Sequence, residues 1–399
     1  MVSIVEDARE MSGELVRLRR RLHREPEVGL QLPRTQDSVL AELDGLGLEV
    51  RTGGQCTSVT AVLRGSAQSQ RTVLLRADMD ALPVHERTGL DYASTNGAMH
   101  ACGHDLHTAM LTGAARLLSQ HRDRLAGDVV LMFQPGEEGY DGAGTMIDEG
   151  VLDAAGRRAD TAYAMHVFSS AAPHGKFVSR PGAALSASDE LKVVVRGAGG
   201  HGSAPHRAHD PVPAMAEMIT GLQTMVGRRF DIFDPVVVTV GTVRAGTAHN
   251  VIPDTAEFGA TVRSFSADAR ARVRALTEEL LHGIAAAHGV TVDVELAEGY
   301  PVTVTDAAET GFVAATIAEL FGDTRYEELA NPLGGSEDFS RVLQHVPGGF
   351  VGLSAVPPEA DPRTAPYNHS PLAVYDDSVL AEGAALYAEL AVRRLMLHE

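Results

Sequence analysis

The chain has 399 residues, of which 44% are hydrophobic and 22% are charged, the composition of a globular protein with a large buried core. This length exceeds what one hydrophobic core usually supports, so we expect two domains. The 53 acidic and 34 basic residues give a formal charge of -19, which argues against nucleic acid or an anionic membrane as a partner. Two cysteines cannot build a disulfide framework, and neither a secretory leader nor a membrane-spanning run is recognisable, so we expect a cytoplasmic protein.

Three short segments rich in apolar residues predict buried strands, and each leads into polar side chains. The segments are Thr72–Ala77, Asp128–Phe133 and Thr161–Met165. Asp78 and Asp80 follow the first segment. Glu137 and Glu138 follow the second after a Pro-Gly turn, and His166 follows the third. Because open α/β sheets gather their sites at the carboxyl ends of strands, we expect these side chains to meet.

A helix is predicted over residues 105–120, between the first two strands, from the helical spacing of its apolar residues. Cys102 and His104 come just before it. A thiolate and a neutral imidazole are good ligands for zinc and similar metals, and Gly103 between them permits a turn tight enough to aim both at one ion. In isolation such a pair would be interpreted as a buried thiol beside a helix-capping imidazole. The acidic pair further along the chain favours a metal site.

From residue 189 onwards the pattern changes to the order β-α-β-β-α-β, which is the ferredoxin-like arrangement. We predict strands over 190–196, 235–243, 255–263 and 290–296, and helices over 211–228 and 267–288. We then predict a helix over residues 312–320, which belongs again to the first domain. The sequence therefore predicts a catalytic α/β domain in two parts, residues 1–185 and 298–399, with residues 186–297 inserted between them.

The other candidate residues each have a plain structural alternative. The acidic pair after the second strand would usually be solvated, but one carboxylate could bind a metal while the other acts as a base. His166 alone would be a core histidine, and His369 in a Tyr-Asn-His-Ser loop would be an exposed one. Asp78 and Asp80 either cap the following segment or accept the second ring proton of a metal-binding histidine.

Six short motifs are spread over nearly the whole chain. They are Arg76–Pro83, Met99–His107, Phe133–Glu138, Gly199–His206, Asn250–Asp254 and Gly335–Phe339. Together and in this order they resemble the M20 metallopeptidase superfamily, above all its amidohydrolase subfamily of hippurate hydrolases, N-acyl amino acid amidohydrolases and plant auxin-conjugate hydrolases. The resemblance implies an α/β catalytic domain whose mixed sheet is flanked by helices, as in zinc exopeptidases, and an inserted ferredoxin-like α+β domain that serves as lid and dimerisation domain.

The resemblance also implies a centre with two divalent metal ions. Mixed sulfur, nitrogen and oxygen ligands suit zinc or manganese first, and also admit cobalt or nickel. Glu137 would be the general base. Other branches of the superfamily have a metal-binding histidine in place of Asp78, so Asp78 is predicted, with Asp80, to lie outside the ligand set. The implied ligands are Cys102, which would bridge the two ions, His104, Glu138, His166 and His369.

For the inserted domain, the resemblance implies a homodimer with shared active sites. His201 would reach the partner subunit's site and stabilise the oxyanion of the tetrahedral intermediate. Asn250 and Arg263 would contact the substrate, Arg263 as a fork for its carboxylate. In structural terms alone, His201 would be a polar residue in a glycine-rich turn and Arg263 an exposed strand residue.

The predicted function is hydrolysis of N-acyl amino acids to a carboxylic acid and a free amino acid. One alternative is a dipeptidase or carboxypeptidase with the same centre, but we identify no acidic partner for the free α-amino group of such a substrate. A non-catalytic metal-binding dimer is the second alternative. Glu137 counts against it, because a structural metal site does not need a base.

Overall fold

The computed structural model describes residues 3–66 and 70–397. Its α-helices are, in chain order, Ile4–Glu10 (α1), Ser12–Arg24 (α2), Pro33–Leu43 (α3), His104–Gln120 (α4), Gly142–Asp148 (α5), Pro211–Arg229 (α6), Ala267–Ala287 (α7), Ala307–Phe321 (α8), Phe339–Leu343 (α9) and Leu380–Met396 (α10). Its β-strands are Glu49–Thr52 (β1), Val59–Leu63 (β2), Thr72–Asp78 (β3), Asp128–Gln134 (β4), Thr161–Phe168 (β5), Phe177–Ser179 (β6), Gly182–Leu185 (β7), Ala187–Arg196 (β8), Gly200–His201 (β9), Val236–Ala245 (β10), Val251–Ile252 (β11), Thr255–Ser264 (β12), Thr291–Glu298 (β13), Thr303–Thr305 (β14), Tyr326–Glu328 (β15) and Gly348–Ser354 (β16).

The chain divides into two compact units, each assembled from separate stretches of sequence. The second unit comprises Leu185–Thr303 and Pro332–Glu337. The first unit comprises Met1–Ala184, Val304–Asn331 and Asp338–Glu399. The outer limits of the predicted catalytic domain, residues 1 and 399, lie outside the described residues.

An eight-stranded mixed sheet forms the first unit, in the order β1-β2-β4-β3-β5-β16-β6-β15. Strands β4, β3, β5 and β16 are mutually parallel, whereas β2 runs antiparallel to β4 and β6 antiparallel to β16. Residues of β3 and β4 are buried on both faces, as their continuous apolar sequences predict. The mixed sheet with packed helices confirms the predicted α/β fold.

Strand β5 is longer than its sequence predicts. It ends at Phe168 rather than Met165, so His166 lies within the strand and not after it. The reason is its neighbour β16, which pairs with β5 as far as Ser354 opposite Phe168. On the other side, the pairing with β3 stops at Ala164.

Helix α4 is buried along most of its length between the sheet, α2 and α10. It approaches α10 closely, because a Cβ at Gly383 would lie 1.9 Å from the Met110 sulfur. This packing fixes the start of α4, where His104 lies, against the carboxyl ends of β3 and β5. No helix in the described part of the chain is both long and apolar enough to cross a membrane.

The second unit contains a four-stranded antiparallel sheet in the order β10-β12-β8-β13, with α6 and α7 packed on one face. Burial alternates along β8, so that Leu191, Val193 and Val195 face the helices. The side chains between them face away from that core. Within this unit, the short strands β9 and β11 pair to form a separate two-stranded ribbon.

Candidate active site

The carboxyl ends of β4, β3 and β5 lie side by side, because these strands are adjacent and parallel. Asp78 is the last residue of β3, and His166 lies near the end of β5. Glu137 and Glu138 follow β4 through a turn in which Gly136 has a φ of 71°. The edge of the sheet therefore gathers the polar residues that the sequence places after its strands.

The start of α4 adds Cys102 and His104 to this edge. Gly103 between them has a φ of 81°, a conformation that favours glycine. A Cβ at this position would also lie 2.3 Å from a methyl group of Val167. Only glycine fits both constraints, so the tight turn predicted between the two side chains is present.

Four side chains converge around the Cys102 thiol. Its Sγ lies 3.2 Å from His369 Nε2 and 3.4 Å from His166 Nε2. Glu138 Oε1 lies 3.1 Å from His369 Nε2 and 3.9 Å from His104 Nε2. The possible ligand atoms of Cys102, His104 and His166 lie within 4.8 Å of one another, and so do those of Cys102, Glu138 and His369. The structure thus brings together all five residues of the implied ligand set.

Unsatisfied polar atoms show that this cluster fits a cation. Both ring nitrogens of His104 are buried and have no hydrogen-bond partner among the described residues. Asp80 Oδ1 lies 3.5 Å from His104 Nδ1, at the limit of hydrogen bonding. Buried polar atoms without partners are rare in folded proteins, and metal coordination would satisfy these. Thiolate, imidazole and carboxylate are donors that zinc and manganese accept.

Two histidines of the cluster have raised pKa values, because they face negatively charged groups. The pKa of His369 is raised to about 10 by hydrogen bonds to the Cys102 thiol and the Glu138 carboxylate. Burial opposes protonation of His104, yet the charge of Asp78 and a contact with Asp80 raise its pKa well above the usual value. Histidines that hold protons in this way mark a place where positive charge is stabilised.

His166 has a different hydrogen-bond environment. Its Nδ1 donates a hydrogen bond to the carbonyl oxygen of Val167, at 2.9 Å, which leaves the Nε2 lone pair facing Cys102. Burial lowers the pKa of His166 well below its usual value. The ring is therefore neutral, which is the form that binds metals.

The acidic residues beside the cluster have distinct partners. Asp80 accepts hydrogen bonds from the backbone N–H groups of Glu137 and Glu138, at 3.0 and 3.1 Å, and so fixes the turn after β4. Glu137 is buried, with 6% of its surface exposed, and its carboxylate lies within 4.8 Å of possible ligand atoms of His104 and Glu138. Asp78 accepts hydrogen bonds from Arg76 and His107.

Sequence reasoning missed several residues that support the site. Arg76 is fully buried and donates hydrogen bonds to Asp78, Gln134 and Asp338. An arginine inside an otherwise apolar strand is a signal for a buried carboxylate partner. Asn368 donates to the carbonyl oxygen of Val167 at 3.0 Å, beside the His369 loop. No sequence signal identifies Asn368.

His369 has a positive φ of 71°, which is uncommon outside glycine. Its backbone N–H donates to the carbonyl oxygen of Ala101, at 2.8 Å, next to Cys102 in the chain. This bond helps to hold the loop in its strained conformation. The side chain is 54% exposed, the most accessible of the five.

Within the second unit, the β9–β11 ribbon places His201 and Asn250 on adjoining segments. Val251 pairs with His201, and the backbone N–H of Gly202 donates to the carbonyl oxygen of Asn250 at 2.8 Å. The backbone N–H of Ser203 donates to His201 Nδ1 at 3.1 Å. A backbone N–H can only donate, so Nδ1 is the acceptor and Nε2 carries the ring proton of the neutral imidazole.

Arg263 lies on β12, between Val237 of β10 and Ser188 of β8. Its Nη1 atom is buried and has no hydrogen-bond partner among the residues that the structure describes. Burial lowers the pKa of the guanidinium from its usual value, and Asp189 partly offsets this effect. An accompanying anion would satisfy the unpaired donor.

A mixed α/β sheet with this donor cluster and a further buried carboxylate at its carboxyl edge defines the class of metal-dependent hydrolases. The chain belongs to peptidase family M20/M25/M40, whose profile matches residues 74–393. It is accordingly a hydrolase of amide bonds, as the sequence predicts.

Known relatives match along nearly the whole chain. It is 37% identical to thermostable carboxypeptidase 1 of Saccharolobus solfataricus over 393 residues, which cover 97% of each chain. It is also 37% identical to IAA-amino acid hydrolase ILR1-like 2 of Arabidopsis thaliana over 391 residues, 97% of this chain and 86% of the relative. Among solved structures, the YXEP protein of Bacillus subtilis, a dinuclear metal binding peptidase from the M20 family, has a TM-score of 0.84 at 31% identity, with 98% of this chain and 99% of that chain covered.

Proposed function

We propose that this protein is a binuclear metal-dependent amidohydrolase that cleaves N-acyl amino acids into a carboxylic acid and a free amino acid. The observation that carries the proposal is the convergence of five donor side chains, including Cys102, with the buried carboxylate of Glu137 beside them. The similarity to an IAA-amino acid hydrolase and to a dinuclear metal binding peptidase supports it.

Two divalent ions, zinc or manganese first and cobalt or nickel as alternatives, would occupy this cluster. When bound, such ions polarise an amide carbonyl and lower the pKa of water. A thiol among the ligands must stay reduced, which suits a cytoplasmic protein. The ligands would be Cys102 in the bridging position, His104, Glu138, His166 and His369.

Glu137 would act as the general base. Its carboxylate would accept a proton from the water that attacks the amide and deliver the proton to the leaving amine. Asp80 orients this residue, because it accepts hydrogen bonds from the backbone of both Glu137 and Glu138. Asp80 and Asp78 would act behind the ligands, Asp80 through His104 and Asp78 through His107.

The second unit would supply the contacts to the substrate and the dimer interface. Because Ser203 donates to Nδ1, His201 presents an Nε2–H that can donate to the oxyanion of the tetrahedral intermediate. We place this donor in the active site of the partner subunit of a homodimer. Arg263 has an unpaired buried N–H for the substrate carboxylate, and Asn250 would contact the substrate near His201.

A second candidate is an exopeptidase with the same centre. The 37% identity to a thermostable carboxypeptidase favours it, since that relative matches over 97% of both chains. The two candidates differ in the substrate group that carries the scissile carbonyl. An exopeptidase must accept an amino acid or peptide in this position, whereas the amidohydrolase accepts an acyl group without an α-amino charge.

Amino-acid release from matched substrates separates these candidates. The full-length protein is reconstituted with Zn²⁺ or Mn²⁺ and supplied with N-acyl amino acids and with dipeptides that end in the same amino acid. A chelated sample serves as the control. Metal-dependent release from the acyl substrates is the expected result, release from dipeptides alone would establish the exopeptidase, and no release from either set would contradict both.

A further inference from the structure

Beyond the end of β3, side chains bind the backbone N–H groups of β5 that point to the side of β3. Pairing of the two strands stops at Arg76 and Ala164, so the next N–H groups on that side of β5 have no strand to bind. The N–H of Met165 donates instead to the Tyr387 hydroxyl at 2.7 Å. The N–H of Val167 donates to His107 Nε2, also at 2.7 Å.

The bond from Val167 fixes the protonation of His107. A backbone N–H can only donate, so Nε2 of His107 is the acceptor and the ring proton lies on Nδ1. That nitrogen lies 2.5 Å from Asp78 Oδ1 and donates to it. His107 is fully buried and uses both ring nitrogens in these bonds, so it has no lone pair left for a metal ion.

Asp78 is itself held by a chain of buried charges. Arg76 donates to Asp78 Oδ2 at 2.6 Å and to Asp338 Oδ1 at 2.9 Å. Asp338 also accepts from Gln134 and from the backbone N–H of Ala143. His107 is therefore fixed at its Nδ1 side by a network that reaches across β3 and β4 to the start of α9.

The peptide bound by His107 immediately follows His166. The carbonyl oxygen of the same residue, Val167, accepts from His166 Nδ1 at 2.9 Å and from Asn368 at 3.0 Å. The first of these bonds selects the tautomer of His166 that leaves Nε2 open toward Cys102, 3.4 Å away. Movement of the Val167 backbone would therefore displace the acceptor that orients the His166 ring.

We propose that His107 is a positioning residue for the metal centre, which acts by accepting the Val167 N–H and thereby holding the backbone that orients His166. The inference rests on the proposed function, because His166 is a metal ligand only there. Partners behind metal ligands typically contribute about 10- to 100-fold to metal affinity. His107 differs from the usual partner in that it acts through the backbone and not on the ligand ring.

Two substitutions separate the two bonds of His107. In His107→Asn, the amide nitrogen takes the place of Nδ1, so the bond to Asp78 is retained and the Val167 N–H is left without its acceptor. In His107→Gln, the amide oxygen takes the place of Nε2, so the bond from Val167 is retained and the donor to Asp78 is lost. Tyr387→Phe is the matched control, because it removes the acceptor for Met165 N–H on the same edge of the same strand.

Co²⁺ titration of the full-length metal-free protein measures the effect, with a competing chelator to give dissociation constants. The visible and thiolate charge-transfer absorption of bound Co²⁺ reports the ligand geometry independently of turnover. We expect His107→Asn to bind Co²⁺ about 10- to 100-fold more weakly with an altered spectrum. His107→Gln and Tyr387→Phe are expected to stay within about threefold of the wild type, since neither frees the Val167 N–H.

Wild-type affinity in His107→Asn overturns the inference while leaving the proposed metal centre intact. Equal weakening in His107→Asn and Tyr387→Phe also overturns it, because the effect would then belong to the strand edge in general. Weakening in His107→Gln together with wild-type affinity in His107→Asn would assign the role to the Asp78 bond instead. Equal weakening in both variants also overturns the inference, because the Val167 bond is retained in His107→Gln. A wild-type protein that binds no Co²⁺ overturns the metal centre together with the inference.

Discussion

The two units of this chain each orient a histidine that we place in the reaction, but in contrasting surroundings. In the first unit, His104 is fully buried, and Asp80 near its Nδ1 is fully buried as well. In the second unit, His201 is exposed, and its Nδ1 accepts from the hydroxyl and the backbone N–H of Ser203. One imidazole is held by buried charge, and the other by neutral donors in contact with water.

The difference concerns the work that each histidine has to do. A metal ligand must hold its position before the ion arrives, and buried charges act strongly because water does not screen them. A donor to a transient oxyanion on a separate molecule needs the correct tautomer and access to its target. We therefore expect substitutions in the first unit to have larger effects than matched substitutions in the second.

The largest expected effect is that of Glu137→Gln. Loss of the base should lower kcat by about 10²- to 10⁴-fold, while the five proposed ligands should still bind metal. Steady-state kinetics and metal analysis of the same preparation test this, with Glu359→Gln on an exposed turn as the control. Near-normal turnover in Glu137→Gln would remove this residue from the mechanism.

The second prediction concerns His201 and the dimer. His201→Ala should lower kcat by about 10²- to 10³-fold through loss of an oxyanion donor. If His201 serves the partner subunit, mixing His201→Ala with Glu137→Ala protomers should restore up to about a quarter of wild-type activity, because half of randomly formed dimers carry one intact site. Verified mixed dimers that stay inactive would show that each site is built from a single chain.

Matched arginine substitutions compare the two units in stability. Arg76→Met leaves Asp78 and Asp338 buried without their shared cation, so the free energy of unfolding should fall by about 3 to 5 kcal/mol. Arg196→Met in the second unit breaks an exposed pair with Asp293 and should cost about 0.2 to 1 kcal/mol. Urea unfolding of both variants measures the difference, and equal losses would contradict the contrast between the units.

The last comparison concerns Asp80 and Ser203, which lie beside Nδ1 of His104 and Nδ1 of His201. Asp80→Asn should weaken metal affinity by about 10- to 100-fold, because the carboxylate supports both His104 and the turn that carries Glu137. Ser203→Ala should change kcat/KM by no more than about threefold, since the backbone N–H of Ser203 still donates to His201. A larger loss in Ser203→Ala than in Asp80→Asn would reverse the comparison.

Much of the site follows from local sequence, because its residues stand where strands end. Asp78, Glu137 and Glu138 are placed by the ends of β3 and β4, and Gly103 makes the turn between the two proposed ligands Cys102 and His104. The fold of the first unit follows in the same way from its continuous apolar segments. These features depend on neighbours in sequence, which patterns of residue type can reveal.

The supporting network could not be predicted, because its contacts join distant segments. Arg76 and Asp338 are 262 positions apart, and nothing in either motif indicates the other. The predicted end of β5 was wrong for the same reason. The strand is extended by pairing with β16, a segment for which no strand was predicted. The sequence shows that residue 107 is a histidine, but it does not show what this histidine binds. Its role becomes visible only in the structure, where the pairing of β3 with β5 ends and the N–H of Val167 needs an acceptor.

The order of the strands in the sheet affects which parts of such an enzyme can vary in sequence. From β3 the chain proceeds to β4 on one side, and from β4 it passes to β5 on the other side of β3. A crevice forms where successive connections part in this way, whatever the sequence of the loops. The loops around the crevice can therefore vary in sequence to suit different amides. The donor side chains keep their relative positions, because the ends of the strands hold them.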